Sequence, residues 1–355
     1  MTIAAPGPVA LLGSGETGPV GGAVYERLAR RVSSPRIAVL ETPAGFQPNS
    51  ARVAARIAEV MGARLRGYRP RIDILPARRR EGPAGTEDPE ATAPLLAADL
   101  IFLGPGSPTY AARQLRDSLA WRRLVARHRR GAALVTASAA TIALGAFALP
   151  VYEIYKVGAE LHWQPGLDLF GLYGLSLVFL PHWNNAEGGA ELDTSRCFMG
   201  RERYAGLVAL LPPATTVVGI DEHTVLLVDL HAGIAEVSGR GAVTIARGGE
   251  EDRVASGETL VLSELGPFHP ADPAAGVPPE VWAELDAVAA AQPPAAPATV
   301  CALVEERQAA RARRDWAAAD TLRRQLAELG WQVRDTPEGP RLGRLEGQPG
   351  PPLAH

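Results

Sequence analysis

Short runs of apolar, mostly aliphatic residues punctuate the first half of the chain at 9–12, 37–40, 72–75, 100–103, 133–135 and 177–180, the third interrupted by Asp73. None of the others contains a polar position, and unbroken apolarity of this length is the pattern of strands buried on both faces of a parallel sheet. Between them, 25–32, 51–61, 91–96, 109–128 and 139–148 carry helix formers with apolar residues three and four apart, Pro94 weakening the third. The alternation predicts an α/β fold, a doubly wound and mostly parallel sheet. In such sheets ligands sit outside the carboxyl ends of the strands, so the loops after each apolar run are where chemistry is sought.

Beyond about Thr215 the pattern changes. Closely spaced runs at 216–220, 224–230, 233–237, 242–246 and 259–262, with no helix between them, predict an antiparallel extension that completes a first domain over 1–265. The Pro- and Ala-rich stretch 266–298 reads as a stiff linker holding one short helix near 281–290. The segment 299–342 reads as a small helical-hairpin module followed by a β-hairpin. Leu303, Val304, Ala310, Trp316, Ala319, Leu322, Leu326 and Leu329 supply its apolar face, Asp315 is placed to cap the second helix, and Gly330 to end it. The tail 343–355 is expected to be disordered.

With 46% apolar residues, 21% charged residues and a formal net charge of -3, the 355-residue chain has a globular composition, and its whole surface is not a device for collecting nucleic acid or anionic membrane. Two cysteines, Cys197 and Cys301, exclude a disulfide framework and a cysteine-based zinc site. The opening residues lack the basic segment and apolar core of a secretory signal, and no run approaches the ~18 apolar residues needed to span a bilayer, so a cytoplasmic location and no membrane partner are expected. Basic charge is nearly all arginine. Lys156 is the sole lysine, which reads as coding bias.

Ser138 stands where the run at 133–135 gives way to the small-residue helix of VTASAATIALG. A serine there is most simply a helix cap. It can also be a nucleophile projecting into the crevice. Three segments favour the second reading. The glycine-rich turn Gly104, Pro105, Gly106, Ser107 follows the preceding strand and can aim a backbone N–H at an oxyanion. His182 follows the next apolar run, at the same carboxyl edge, where it can act as a base. Glu222, at the turn between two strongly apolar strands, can orient that histidine, with Glu153 a second candidate for the carboxylate. His182, His223 and Asp221 lack clear metal-ligand spacing, so neither metal nor cofactor is expected.

LGSGE, FLGPGSPTYAARQL, VTASAATIALG, LPHWNN with RERYAGL after it, and GIDEHTVLLV resemble the successive motifs of the cyanophycinase and peptidase E family of serine peptidases, over roughly residues 8–265. The resemblance implies a class I glutamine-amidotransferase-like fold. It also implies Ser138 as nucleophile, His182 as general base, Glu222 as acidic member, and Gly106 with the Ala139 N–H as oxyanion hole. Ser107, Asn184, Arg201 and Arg203 are then candidate substrate-binding groups, the two arginines falling near an Arg-x-Arg element of the family. The elbow departs from the usual Gly-Thr-Ser-Ala-Gly-Ala: Thr136 and Ala140 replace glycines, which predicts a crowded turn. The connection from His182 to the arginines is also longer, and its Glu187, Glu191 and Asp193 could rim the pocket but read more simply as an exposed acidic loop.

The C-terminal VCALVEERQAARARRDWAAADTLRRQLAELGWQVRDTPEGPRL resembles the extreme carboxy-terminal module of cysteinyl-tRNA synthetases. No ATP-site signature of a synthetase accompanies it, which argues against aminoacylation. Arg307, Arg311, Arg313, Arg314, Arg323 and Arg324 are interleaved with Glu305, Glu306, Asp315, Asp320 and Glu328, so a solvated helix surface is expected in preference to an RNA contact. The expectation is a serine hydrolase that cleaves a small peptide or isopeptide amide through an acyl-enzyme on Ser138, a homodimer being allowed. The alternative is a catalytically silent amidotransferase-like scaffold that binds a small ligand or tRNA through its C-terminal module.

Overall fold

The computed structural model describes residues 5–32, 34–272, 275–291, 298–336 and 339–345. The chain divides into two compact units, Met1–Asp286 and Ala287–His355. Strands of the first unit are β1 (Val9–Leu12), β2 (Arg36–Leu40), β3 (Arg71–Leu75), β4 (Leu100–Leu103), β5 (Ala133–Ala137), β6 (Phe147–Ala148), β7 (Gln164–Pro165), β8 (Leu177–Leu180), β9 (Thr216–Ile220), β10 (Thr224–Asp229), β11 (Ile234–Gly239), β12 (Ala242–Arg247), β13 (Glu250–Ala255) and β14 (Thr259–Val261). Its helices are α1 (Pro19–Ala29), α2 (Ser50–Arg64), α3 (Pro89–Thr92), α4 (Pro108–Leu115), α5 (Leu119–Arg129), α6 (Ala139–Ala143), α7 (Val151–Tyr155), α8 (Gly200–Ala209) and α9 (Pro279–Ala291), the last reaching past the boundary between the units.

The larger sheet runs β14-β11-β10-β1-β5-β4-β2-β3. From β1 to β3 every neighbouring pair is parallel, while β10, β11 and β14 extend the sheet antiparallel from the far edge of β1. Successive residues of a strand feed opposite cores, which is why the apolar runs are unbroken. Val9 and Leu11 of β1 enter one cluster and Ala10 and Leu12 the other, and Ile101 and Leu103 of β4 divide from Leu100 and Phe102 in the same way. Each such large side chain is worth about 1.5–3 kcal/mol on burial.

A second sheet, ordered β13-β12-β9-β8, pairs β8 and β9 in parallel with Leu180 opposite Gly219. The run at 177–180 therefore lies outside the main sheet in which its apolarity first places it. β13 carries the polar sequence EEDRVA with five of six residues exposed, as an edge strand allows, and it has no apolar signal to betray it. The single helix expected at 109–128 is two, because Asp117 takes φ 59° and the Ser118 hydroxyl accepts from the Trp121 N–H to start α5 afresh. The helix expected to reach 148 stops at Ala143, and Phe147–Ala148 instead pairs with β7.

Much of the stretch expected to be a linker is packed onto the first unit. Val277 and Val281 join its main core, Tyr173 stacks on Phe268 with ring centroids 6.4 Å apart, and Arg123, almost wholly buried, reaches Glu284 at 2.9 Å. No helix among the described residues is long and apolar enough to cross a membrane.

The second unit consists of α10 (Ala298–Ala312), α11 (Trp316–Glu328), β15 (Trp331–Thr336) and β16 (Gly339–Arg344), the two strands forming an antiparallel hairpin. Asp315 caps α11 through the Ala318 N–H at 3.1 Å, and Gly330, at φ 80°, turns the chain out of it. Val300, Leu326, Trp331 and Val333 are its buried core, with Leu303 and Val304 against them. Trp316, placed by periodicity on the apolar face, is instead 56% exposed. Buried Arg307 grips Asp335 with two hydrogen bonds of 2.9 and 2.8 Å, and Arg311 approaches the same carboxylate at 3.4 Å. Both arginines are thereby drawn out of the expected solvent stripe to fasten the hairpin to α10. Of the expected tail, 346–355 lies outside the described residues.

Candidate active site

β5 delivers Ser138 and α6 begins at the next residue, so the serine is the hinge of a sharp reversal with φ 52° and ψ -116°. A non-glycine residue held there costs on the order of 1–3 kcal/mol, and such residues concentrate at functional sites. The Ser138 side chain caps nothing, although a cap is the simplest reading of its position. Its Oγ lies 3.2 Å from His182 Nε2. His182 Nδ1 in turn lies 3.0 Å from Glu222 Oε1.

The second sheet explains how residues 40 positions apart meet in this way. β8 and β9 run side by side and leave the sheet at the same edge, and the loops that follow carry His182 and Glu222. The His182 N–H donates to the Gly13 carbonyl at 3.2 Å, in the loop after β1, which ties the second sheet's edge to that of the first. The Trp183 N–H donates to the Ile220 carbonyl at 3.1 Å, and its ring lies where a Cβ on Gly219 would be, 2.3 Å away. Glu222 is held twice more: Asn185 donates Nδ2 to Oε1 at 3.0 Å, and the Glu222 N–H donates to Asn184 Oδ1 at 2.8 Å.

Partial burial works to raise the Glu222 carboxyl, but the hydrogen bonds from Asn185 and His182, with the charges of His182 and His223, outweigh it and hold the group below the usual glutamate range. Glu222 is therefore ionised at neutral pH. An ionised carboxylate can only accept, so His182 Nδ1 carries the hydrogen of that contact and Nε2 is the ring nitrogen that faces the Ser138 hydroxyl.

Gly106 opposes this group across the cleft. Its backbone, at φ 156°, passes so close to the preceding loop that a Cβ would stand 1.9 Å from the Pro43 carbonyl oxygen. Among the described residues, neither the Gly106 nor the Ala139 N–H is spent on a backbone acceptor. Both residues line a cleft of about 230 Å³ with Ser138 and His182. Thr136 and Ala140 crowd the core beneath the turn and leave its mouth clear: the buried Thr136 hydroxyl pairs with Thr141 at 3.0 Å, and Thr141 donates to the Leu12 carbonyl at 3.3 Å. Ser138 keeps partial exposure.

Other expected groups lie elsewhere. Ser107 is buried and its hydroxyl accepts from the Tyr110 N–H to cap α4, so it is occupied. Asn184 props the Glu222 loop, outside the cleft. Arg201 and Arg203 are exposed on α8, whose buried side is Gly200 and Leu207, and neither lines the cleft. Glu153 has one carboxylate oxygen buried without a hydrogen bond and does not reach His182. Among the described residues no three His, Cys, Asp or Glu side chains converge as metal ligands would.

Periodicity could not find Lys156 and Tyr152 of the α7 region, nor Phe198, all of which line the cleft. The one available signal was Lys156 itself, a lone lysine among arginines. Phe198 is placed by a left-handed turn in which Arg196, Cys197 and Phe198 take φ 58°, 59° and 69° in succession. That turn is pinned by Arg196 N–H to the Trp183 carbonyl at 2.8 Å and by the Arg196 guanidinium 3.9 Å over the Trp183 ring, and it sets the Phe198 ring 5.8 Å from that of His182. Cys197 also lines the cleft, but burial pushes its thiol up to about 12, so it is protonated at neutral pH.

Comparison with known proteins gives one likeness for most of the chain and another for residues within its second unit. A solved peptidase from an acI-B1 Actinobacterium superposes with a TM-score of 0.58 at 21% identity, covering 72% of this chain and 97% of that one, so the fold is shared. Residues 293–339 match the family model of the cysteinyl-tRNA ligase anticodon binding domain. In that region the chain is similar to cysteine–tRNA ligase 1 of Burkholderia lata, at 56% identity over 46 residues, 13% of this chain and 10% of that protein. It is likewise similar to the cysteine–tRNA ligase of Moorella thermoacetica, at 57% over 42 residues, 12% of this chain and 9% of that protein. The chain thus spans about a tenth of the length of the ligases it matches.

Proposed function

We propose that the first unit is a serine hydrolase that cleaves a peptide or other amide by acyl transfer. The observation that carries this reading is the unbroken chain from Ser138 Oγ through His182 to Glu222, at 3.2 and 3.0 Å. Ser138 Oγ attacks the carbonyl carbon while His182 Nε2 takes its proton. Ionised Glu222 stabilises the imidazolium, and the N–H groups of Gly106 and Ala139 receive the oxyanion. His182 then protonates the leaving amine, and water enters by the same route to release the acid and restore Ser138. The shared fold with a protein described as a peptidase supports the reading. A fluorophosphonate that labels the wild-type protein at Ser138, with turnover of an acidic-dipeptide or isopeptide panel, is the expected result. Absence of both labelling and hydrolysis would overturn it.

Glu222→Gln is expected to leave the fold intact and lower kcat by about 10²–10⁴-fold, since an amide cannot hold the tautomer or balance the imidazolium. A kcat within threefold of wild type would remove Glu222 from the mechanism.

The match at 293–339 favours a second role alongside the first: the C-terminal unit holds tRNA. With Arg307 and Arg311 engaged at Asp335, the exposed Arg313, Arg314, Arg323 and Arg324 remain to meet phosphate. Gel shifts of the full chain with tRNA should show Arg323→Glu with Arg324→Glu weakening binding by about tenfold or more and flattening its salt dependence. Identical binding by wild type and variant would exclude that face.

A further inference from the structure

Next to the Gly106 turn, the loop after β2 and the helix α4 build an exposed ledge. Phe46, 49% exposed, lies 5.3 Å from the Tyr110 ring, and the Arg113 guanidinium lies 5.3 Å over that same ring. Tyr110 is fixed by its hydroxyl, which donates to the Arg78 carbonyl at 2.8 Å. Burial raises that hydroxyl against the opposing positive charges of Arg113 and Arg79. The ledge adjoins the cleft: Pro108 lines the cleft two residues before Tyr110, and the Ser107 N–H donates to the Pro43 carbonyl, three residues before Phe46. Aromatic rings set among arginines offer a base a stacking face and a phosphate its counter-charge. Within the cleft the two exposed charged side chains are of opposite sign, Glu187 and Lys156. A carboxylate beside a serine nucleophile suits the α-ammonium of an aminoacyl group, and an ammonium suits a phosphate.

We infer that this chain hydrolyses the ester joining an amino acid to the 3′-terminal ribose of tRNA, with the terminal base on the Phe46–Tyr110 ledge and the aminoacyl group in the cleft. The inference rests on the serine-hydrolase reading of the cleft and on the tRNA reading of the second unit. Ser138 Oγ attacks the ester carbonyl and gives its proton to His182. The bond from acyl carbon to ribose oxygen breaks, and that oxygen takes the proton from His182. Water, deprotonated by His182, then splits the acyl-serine, and the proton returns to Ser138 Oγ. The products are free amino acid and uncharged tRNA, and water is the sole co-reactant.

The test uses the full chain, with tRNA charged with labelled cysteine and the bulk tRNA pool charged with the other amino acids. Release of amino acid is expected at least ~100-fold above the spontaneous rate and to be lost in Ser138→Ala. The kcat/KM for charged tRNA should exceed that for the matching aminoacyl methyl ester by ~100-fold, because binding of the remote nucleotide is used at the reacting centre. Phe46→Ala with Arg113→Ala should cut that ratio about tenfold. Deacylation at the spontaneous rate, with Ser138 still labelled and amides still cleaved, overturns the inference and spares the hydrolase reading. Absence of labelling and of all turnover overturns both. An equal loss on charged tRNA and methyl ester in the ledge variant overturns the nucleotide assignment.

Discussion

Alanine at position 138 is expected to abolish covalent labelling by a fluorophosphonate and to lower hydrolysis by about 10⁴–10⁶-fold, with melting unchanged to within about 1 kcal/mol. On the proposed acyl-transfer reading the loss is large because the change removes the atom that would bond to the substrate and strands the groups behind it. His182 Nε2, 3.2 Å away, then has no hydroxyl to deprotonate, and Glu222 steadies an imidazole with nothing to do. The stability effect is small because the serine hydroxyl caps no helix, and alanine keeps the Cβ that the φ of 52° already tolerates. Cys197 does not substitute as nucleophile, its thiol being held protonated by burial. Mass spectrometry of the labelled peptide checks the assignment, and label retained by the Ser138→Ala protein would refute it.

The parts of this architecture that were legible in the sequence are those set by two-sided burial. β1, β4 and β5 are apolar at every position but one because both faces of the main sheet are covered, and a strand with one face in water would alternate instead. Ser138 was legible for the same reason, standing at the end of such a strand. The pairing of β8 with β9 was not, since an apolar run does not state which sheet receives it. The geometry of His182 and Glu222 follows from that pairing, so their order along the chain could suggest a meeting but not its route. Other features turn on single backbone states: the break between α4 and α5 at Asp117, and the three left-handed residues that bring Phe198 to His182. Non-glycine residues rarely enter that region, and composition does not announce them. Only the family resemblance, across a longer connection, draws Arg201 and Arg203 toward the site, and α8 leaves both exposed to solvent.

Gly106→Ala is expected to lower kcat/KM by about 10²–10³-fold, comparable to loss of one oxyanion donor, while leaving the serine, histidine and glutamate hydrogen-bonded as they are. A methyl group at 106 would sit 1.9 Å from the Pro43 oxygen, 2.1 Å from its carbonyl carbon and 2.6 Å from the Ala44 nitrogen. All three are backbone atoms that no rotamer change can withdraw, so the Gly106 loop and the loop after β2 must part by an ångström or more. Parting them breaks the 2.9 Å hydrogen bond from the Ser107 N–H to the Pro43 carbonyl and swings the Gly106 N–H away from the oxyanion position. The cost to folding should be about 1–3 kcal/mol, the usual penalty for overpacking. The decisive contrast with Ser138→Ala is in kind: Gly106→Ala should still acquire the fluorophosphonate label, more slowly, because the nucleophile and its base survive. Wild-type kcat/KM in a correctly folded Gly106→Ala protein would show that the oxyanion is held elsewhere.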